Sequence, residues 1–278
     1  MGRKRKDAML LNLAKHIILT IAAIVVLFPL LWIILQSFKS SFDAIAIPPK
    51  FIFKPTLQNY IATLHRHGFL SAFRDSLIVG LGSVVITLLV GTPFGYALSR
   101  FRFRGREDIG FFVLSTKMMP PIVVIVPFVR IFHYLGISDT YIGLILAGIL
   151  VNLALVVWMM RGFFMGIPQE LEEAAMVDGC SQVGALRSIV VPLVAPGLVA
   201  TAMLSFLFAW NEFIFALSLT SFNVRTLPVY MATEFVGYLA VDWGGLSAAG
   251  VLAILPGLVF IIAIQKHLVR GLTFGAIK

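Results

Sequence analysis

An all-α membrane protein with six transmembrane helices is the fold this sequence predicts, and three observations predict it. Of its 278 residues, 59% are hydrophobic and 13% charged, with a mean hydropathy of +0.98. A soluble domain is nearer half apolar and about a quarter charged, so burial in a soluble core would leave too little polar surface to cover it. Six stretches reach the roughly 20 apolar residues that one helix needs to cross a hydrocarbon core. Lys and Arg, finally, are gathered at alternate ends of those stretches. Nothing suggests a second soluble domain, a low-complexity segment or a fixed-period repeat, so residues 1–278 read as a single transmembrane domain.

The first stretch, 16–36, follows Arg3-Lys4-Arg5-Lys6 and so mimics a signal peptide. Its apolar run exceeds the usual 7–15 residues and no A-x-A-like site closes it, so it is expected to stay as a span. The second covers 75–99 and the third 109–134, which holds Lys117, Pro120-Pro121 and Pro127. The fourth is 140–160, the fifth 194–219 and the sixth 246–265. Outside loops then fall at 37–74 and 220–245, and an inside loop at 161–193.

Charge sets the orientation. With a cytoplasmic N-terminus, the inside holds Arg3, Lys4, Arg5, Lys6, Lys15, Arg100, Arg102, Arg104, Arg106, Arg161, Arg187, Lys266, Arg270 and Lys278. The outside holds only Lys39, Lys50, Lys54, Arg66, Arg74 and Arg225. This bias places both termini inside.

The same placement answers the net charge of +9: it orients a membrane protein and needs no nucleic acid. Cys180 is the single cysteine, so no internal disulfide is possible. The chain has no Gly-Lys pair and hence no Walker A loop, and neither HExxH nor CxxC occurs. Nucleotide chemistry would have to come from another chain. No catalytic residues, metal site or cofactor are expected here. His65 and His67 straddle Arg66 without a carboxylate or thiol nearby, and read as a solvated loop.

The inside loop is the most polar part of the chain. Pro168 suits the first position of a helix, and Glu170, Glu172 and Glu173 put negative charge where the helix dipole favours it. Gly179 offers the left-handed conformation that closes a helix, which predicts about three turns over 168–178. Ser181 can cap a second helix running to Pro192, with Val183, Leu186 and Val190 on one side. Leu171, Ala174, Ala175 and Asp178 share a face at i, i+3, i+4 and i+7, small enough for another surface to approach closely. The alternative is a connector lying on the headgroups. Three acidic residues in the first turn oppose it, because anionic lipid would repel them.

Glu173-Ala174-Ala175, three residues, Gly179, nine residues, Ile189, two residues and Pro192 resemble the EAA loop of ABC importer permeases. Val191 stands where the family usually has Leu. The stretches MMPPIVVIVPF (118–128), LGISDTYIGLIL (135–146), RGFFMGIPQELEEAA (161–175), FAWNEFIFALSLT (208–220) and LVRGLTFGAIK (268–278) resemble the maltose-type carbohydrate-uptake permease subunit. The resemblance implies the type I importer permease fold. Its implied partners are a second, homologous permease, two copies of a cytoplasmic ATPase that bind ATP and Mg, and an extracytoplasmic solute-binding protein. Glu173, Ala174, Ala175, Asp178, Gly179, Ile189 and Pro192 would then couple to the ATPase. The tail, with Gly271, Leu272, Thr273 and Gly275, is compositionally a frayed end, but the resemblance implies a second contact between the ATPases.

Asn211 and Glu212 lie within the fifth span, where polar groups usually face a bundle interior or cavity. Glu212 is roughly 18 residues beyond Val194, about 27 Å at the helical rise and so toward the outer side. Lys117 lies within snorkelling range of the cytoplasmic headgroups. The prolines at 120, 121 and 127 interrupt the third span, and broken helices point to transport sites. Met118, Met119 and Asn152 are the candidates for lining such a cavity, and helix packing is their alternative fate. Asp242 and Trp243 lie in the outer loop, open to a binding protein.

The expected function is half of an ATP-driven pathway for a carbohydrate, polyol or glycoside. An ion-gradient-driven secondary transporter is the competing class, and it calls for paired ionisable groups deep in the spans. A membrane-embedded enzyme would need clustered His, Asp or Glu, and the sequence offers no such cluster.

Overall fold

The computed structural model describes residues 2–237 and 240–274, and their side chains except at 2–11, 264 and 266–274. Thirteen α-helices and one π-helical turn occur among these residues, and the only extended pairing is an isolated bridge between Val236 and Val241. The chain divides into two compact units, residues 1–67 with 231–254, and residues 68–230 with 255–278.

In the first unit, helix α1 (Gly2–Ser37) carries the first apolar stretch, and the most apolar window of it is 0% buried. Its side chains from Ile17 to Leu35 are available to lipid or to another protein. Two short helices follow in the outer loop, α2 (Ser41–Ala44) and α3 (Gln58–His65). Asn59 ties that loop down, donating to the Ser37 carbonyl at 2.8 Å and to the Lys39 carbonyl at 2.7 Å. Arg66 pairs with Asp242 at 3.1 Å and lies over the Phe235 ring. The HxH loop is thus an ion-pair site, and no metal-binding cluster exists among the described residues.

The second unit is built on α4 (Phe69–Arg100) and α7 (Tyr141–Met165). Ser83, Thr87, Gly91 and Gly95 recur every fourth position on α4, and all are buried. Small side chains at this spacing let two membrane helices approach closely and gain dispersion contacts that lipid cannot supply. Gly95 is the tightest point. A Cβ there would lie 2.9 Å from the Val157 carbonyl oxygen and 3.0 Å from the Arg161 nitrogen, both backbone atoms of α7. Around this pair sit α5 (Arg106–Met118), α6 (Pro121–Tyr134), α8 (Glu170–Val177), α9 (Gln182–Ala185), α10 (Val191–Trp210) and α11 (Ile214–Leu219). One buried cluster joins Val79, Ile125, Phe132, Leu144, Phe215 and Leu219, and another joins Tyr96, Val156, Met160, Phe164, Val190 and Val194. The last two helices, α12 (Leu227–Glu234) and α13 (Trp243–Phe274), complete the chain.

Several boundaries differ from the sequence reading. The second span starts at Phe69, after Gly68 at φ +88°, so Arg74, expected in the loop, lies inside the helix. The third is a bent pair, α5 and α6, turned by 96° at Met119-Pro120. Pro120 and Pro121 have no N–H to continue the ladder, whereas Pro127 is carried inside α6 without a break. The described chain therefore has five long apolar helices, or six spans if the bent pair counts as one. The fifth stretch also divides, because α10 ends at Trp210 and α11 begins only at Ile214.

Candidate functional site

The inside loop follows the expected local chemistry and then departs from it. Helix α8 is two turns long, with Glu170, Glu172 and Glu173 in its first turn. Gly179 adopts φ +95°, and the Asp178 N–H bonds back to the Ala174 carbonyl. Ser181 caps α9 by accepting from the Gly184 N–H at 3.1 Å. The second helix, however, does not stop at Pro192. It passes through a π-helical turn, Leu186–Val190, directly into α10, and the Val191 N–H bonds to the Leu186 carbonyl five residues back. Pro192 has no N–H to offer, and it is accommodated in the first turn of α10. The projection is therefore α8 with its glycine turn, set on the N-terminal end of α10.

Its faces also sort differently. Leu171, Glu173, Ala174, Val177, Asp178 and Gly179 are exposed, Val177 to 87%. Ala175, expected on the docking face, is buried by its own chain. Ile189 is partly buried and Pro192 exposed. Glu172, one of three acids expected to serve the helix dipole, is buried, only 4% exposed. Its Oε1 accepts from Arg100 Nε at 2.5 Å, and its Oε2 accepts from Tyr96 Oη at 2.6 Å. Arg100 also donates through Nη2 to the Ile167 carbonyl at 2.9 Å. Sequence reasoning missed this attachment. The only available signal was an arginine closing one helix and a surplus of acids opening another.

A second tie lies nearby. Arg161 Nη2 donates to both oxygens of Glu107 at 2.8 Å, joining α7 to α5. Arg161 is buried while the Glu107 side chain is 63% exposed.

The break between α5 and α6 borders an apolar cavity of about 620 Å³. Met119, Lys117, Phe112, Val124, Phe128 and Phe215 are among its walls. Lys117 Nζ donates to the Val151 carbonyl of α7 at 3.0 Å and lies 4.5 Å from the centre of the Phe208 ring. The ammonium thus has a backbone acceptor and a ring face within the protein. Met118 is exposed at this break. Asn152, expected beside these residues, is fully buried in α7 and donates to the Gly148 carbonyl of its own helix at 3.1 Å. It does not line the cavity.

Asn211 and Glu212 occupy the break between α10 and α11. Asn211 is exposed and donates to the Leu207 carbonyl at 2.8 Å. Both Glu212 carboxylate oxygens accept backbone N–H groups of α11, from Phe215 at 2.8 Å and Ala216 at 2.9 Å. A carboxylate at a re-entering helix start supplies the acceptors that apolar surroundings withhold. In the outer loop, Asp242 caps α13 by accepting from the Gly245 N–H at 3.0 Å, besides its pair with Arg66. At the other end, α13 runs through Gly271, Leu272 and Thr273 to Phe274, a helix where a frayed tail was the compositional expectation. Gly275 lies outside the described residues.

Long apolar helices, a bent span and one polar projection define a multi-pass membrane component. Residues 91–274 match the family described as binding-protein-dependent transport system inner membrane component, and the chain belongs to that family of ABC transporter permeases. Among its relatives, the probable ABC transporter permease protein y4oR of Sinorhizobium fredii is 37% identical and aligns over 93% of this chain and 92% of that protein. The trehalose/maltose transport system permease protein MalG of Thermococcus litoralis is 35% identical, over 95% and 97%. The sulfoquinovosyl glycerol transport system permease protein SmoH of Agrobacterium fabrum is likewise 35% identical, over 91% and 89%. A chain of a bacterial ABC transporter for import of the acidic polysaccharide alginate shares the fold, with TM-score 0.78 over 92% of this chain and 96% of that one, at 24% identity.

Proposed function

We propose that this chain, with a second homologous permease, forms the membrane pathway for a carbohydrate, polyol or glycoside, and takes its drive from a separate ATPase through α8. Two ATPase copies would bind ATP and Mg on the cytoplasmic side, where both termini and the 161–193 loop lie. An extracytoplasmic solute-binding protein would deliver the solute. The single observation that carries the reading is the build of the projection: an open face of Leu171, Ala174, Val177 and Asp178 on a base tied to the bundle. A face of small and apolar side chains beyond the membrane helices is suited to a protein cleft, and a tied base can pass on a push. The solute class rests on relatives named for trehalose, maltose and sulfoquinovosyl glycerol.

ATP binds the closed and open ATPase dimer with different free energy, and only that difference can shift the membrane equilibrium. The docked α8 transmits it, and the cavity beside the α5–α6 break, with Met118 and Met119, is the place where the pathway changes access. Asn211 and Glu212 act at its outer half by shaping the break between α10 and α11. The 271–275 segment makes a second contact with the ATPases.

The test uses the assembled complex. With Cys180, an exposed free thiol, changed to serine, Ala174→Cys should crosslink to the ATPase. Gly179→Val should insert and assemble but lose uptake, since no side chain lies within 4 Å and only the φ of +95° opposes a β-branched residue. Normal uptake by that variant, with no crosslink at Ala174, would end the proposal. Solute flux from the isolated chain in a pH or sodium gradient would favour the secondary-transporter class instead.

A further inference from the structure

We infer that Glu172, Tyr96 and Arg100 form the joint that makes α8 and the inner end of α4 move as one body during transport. The inference rests on the reading of α8 as the ATPase-docking element. Tyr96 and Arg100 stand at i and i+4 on α4, one above the other on the same face. Together they take both oxygens of one α8 carboxylate, at 2.6 Å and 2.5 Å. A single bond would leave α8 free to swivel about it. Two bonds from successive turns set its rotation as well as its distance. Arg100 adds a third hold on the Ile167 carbonyl, just before α8. The guanidinium thus grips the segment that enters the helix as well as the helix itself.

The burial of this joint makes it stiff. The side chains of Arg100 and Glu172 are 8% and 6% exposed. Water competes poorly there, and hydrogen bonds in which both partners are charged are shorter and stronger than neutral ones. The load also has somewhere to go. Tyr96 packs edge-on against Phe164 of α7 at 5.4 Å, and Gly95 beside it brings α4 against the α7 backbone. A displacement of α8 therefore arrives at the most tightly packed helix pair of the unit. The neighbouring Arg161–Glu107 pair supplies the contrast: its carboxylate is 63% exposed, and its ion pair joins α7 to α5 and not to α8. Tyr96 and Arg100 are positioning residues in this scheme, because they act on the pathway through the helices they hold together.

The experiment measures solute imported per ATP hydrolysed by the reconstituted complex. Glu172→Gln should assemble and hydrolyse ATP while that ratio falls ~10-fold, the factor corresponding to loss of one charge-assisted hydrogen bond. Tyr96→Phe should lower it less, and Glu107→Gln should leave it unchanged. An unchanged ratio in assembled Glu172→Gln overturns the joint. If that variant fails to assemble, Tyr96→Phe decides in the same way, since it removes the hydroxyl that holds Glu172 and keeps the ring. A second measurement avoids the joint residues altogether. With Cys180 changed to serine, spin labels at Ala174→Cys, exposed on α8, and Ser99→Cys, half-buried in the last turn of α4, should keep one separation in the nucleotide-free and ATP-trapped states. A separation that changes between states overturns the joint. Crosslinking from Ala174 to the ATPase identifies which idea has failed: present with an unchanged ratio, only the joint is lost; absent, docking itself is lost.

Discussion

The two ends of α4 are held by carboxylates in opposite ways. At the inner end, Glu172 meets a buried arginine from another helix, and both charges lie out of water. At the outer end, Asp75 is buried, but its nearest cation is its own neighbour Arg74, whose side chain is 65% exposed. Besides the Arg74 guanidinium, at 3.0 and 3.2 Å, the groups that reach Asp75 from other elements are uncharged: Tyr141 Oη donates to it at 2.7 Å and the Arg225 N–H at 3.3 Å. Asp139 serves the same outer region in the same manner, accepting the N–H groups of Ser221, Phe222 and Asn223 at 3.0 Å and of Val224 at 3.3 Å. The inner end thus joins two helices by a matched charge pair, whereas the outer end uses carboxylates as acceptors for backbone that has no ladder partner. The first arrangement suits an element that bears load, and the second a loop that must keep its shape.

The largest effect should follow from Arg100→Ala, which leaves Glu172 buried and unpaired. Removing one partner of such a pair costs about 3–5 kcal/mol, read as lost thermal stability of the purified complex. A next effect tests the outer acceptors through pH. Burial would raise the Asp139 pKa, but four backbone N–H bonds outweigh it and hold the carboxyl below its usual value. A group with a depressed folded pKa contributes stability above its unfolded pKa of about 3.9, and that stability is lost as pH falls through the folded value. Asp139→Asn should therefore lower the melting temperature at neutral pH, where the ionised carboxylate contributes fully, and flatten the acid limb of the profile below about pH 4. The smallest effect is expected for Arg74→Ala, because its exposed guanidinium is screened by water. Equal losses for Arg100→Ala and Arg74→Ala would erase the contrast between the two ends.

Much of this architecture was readable from local chemistry. Runs of apolar residues located the spans, Gly179 marked a left-handed turn, Ser181 marked a cap, and Pro120-Pro121 marked a break. Each of these depends on a few adjacent residues. The misjudged positions share a different cause. Glu172 was read with its neighbours Glu170 and Glu173, yet its partner Arg100 lies 72 residues away. Lys117 has an acceptor that nothing nearby in sequence shows, since α7 supplies it from 34 residues on. Asn152 looked available to a cavity, but the side that α7 turns inward at this point buries it. Glu212 looked costly within an apolar run until the chain broke there and presented unpaired N–H groups to it.

By itself, then, the sequence determined the solvent, the approximate spans and the turn chemistry of the projecting loop, because hydropathy, proline and glycine act over a few residues wherever they stand. Only the tertiary structure decided which acid of α8 is an anchor, which carbonyl Lys117 meets and how the fifth stretch divides. Those outcomes depend on which side chain a second helix brings within bonding distance, and helix packing sets that distance with no trace in the local sequence.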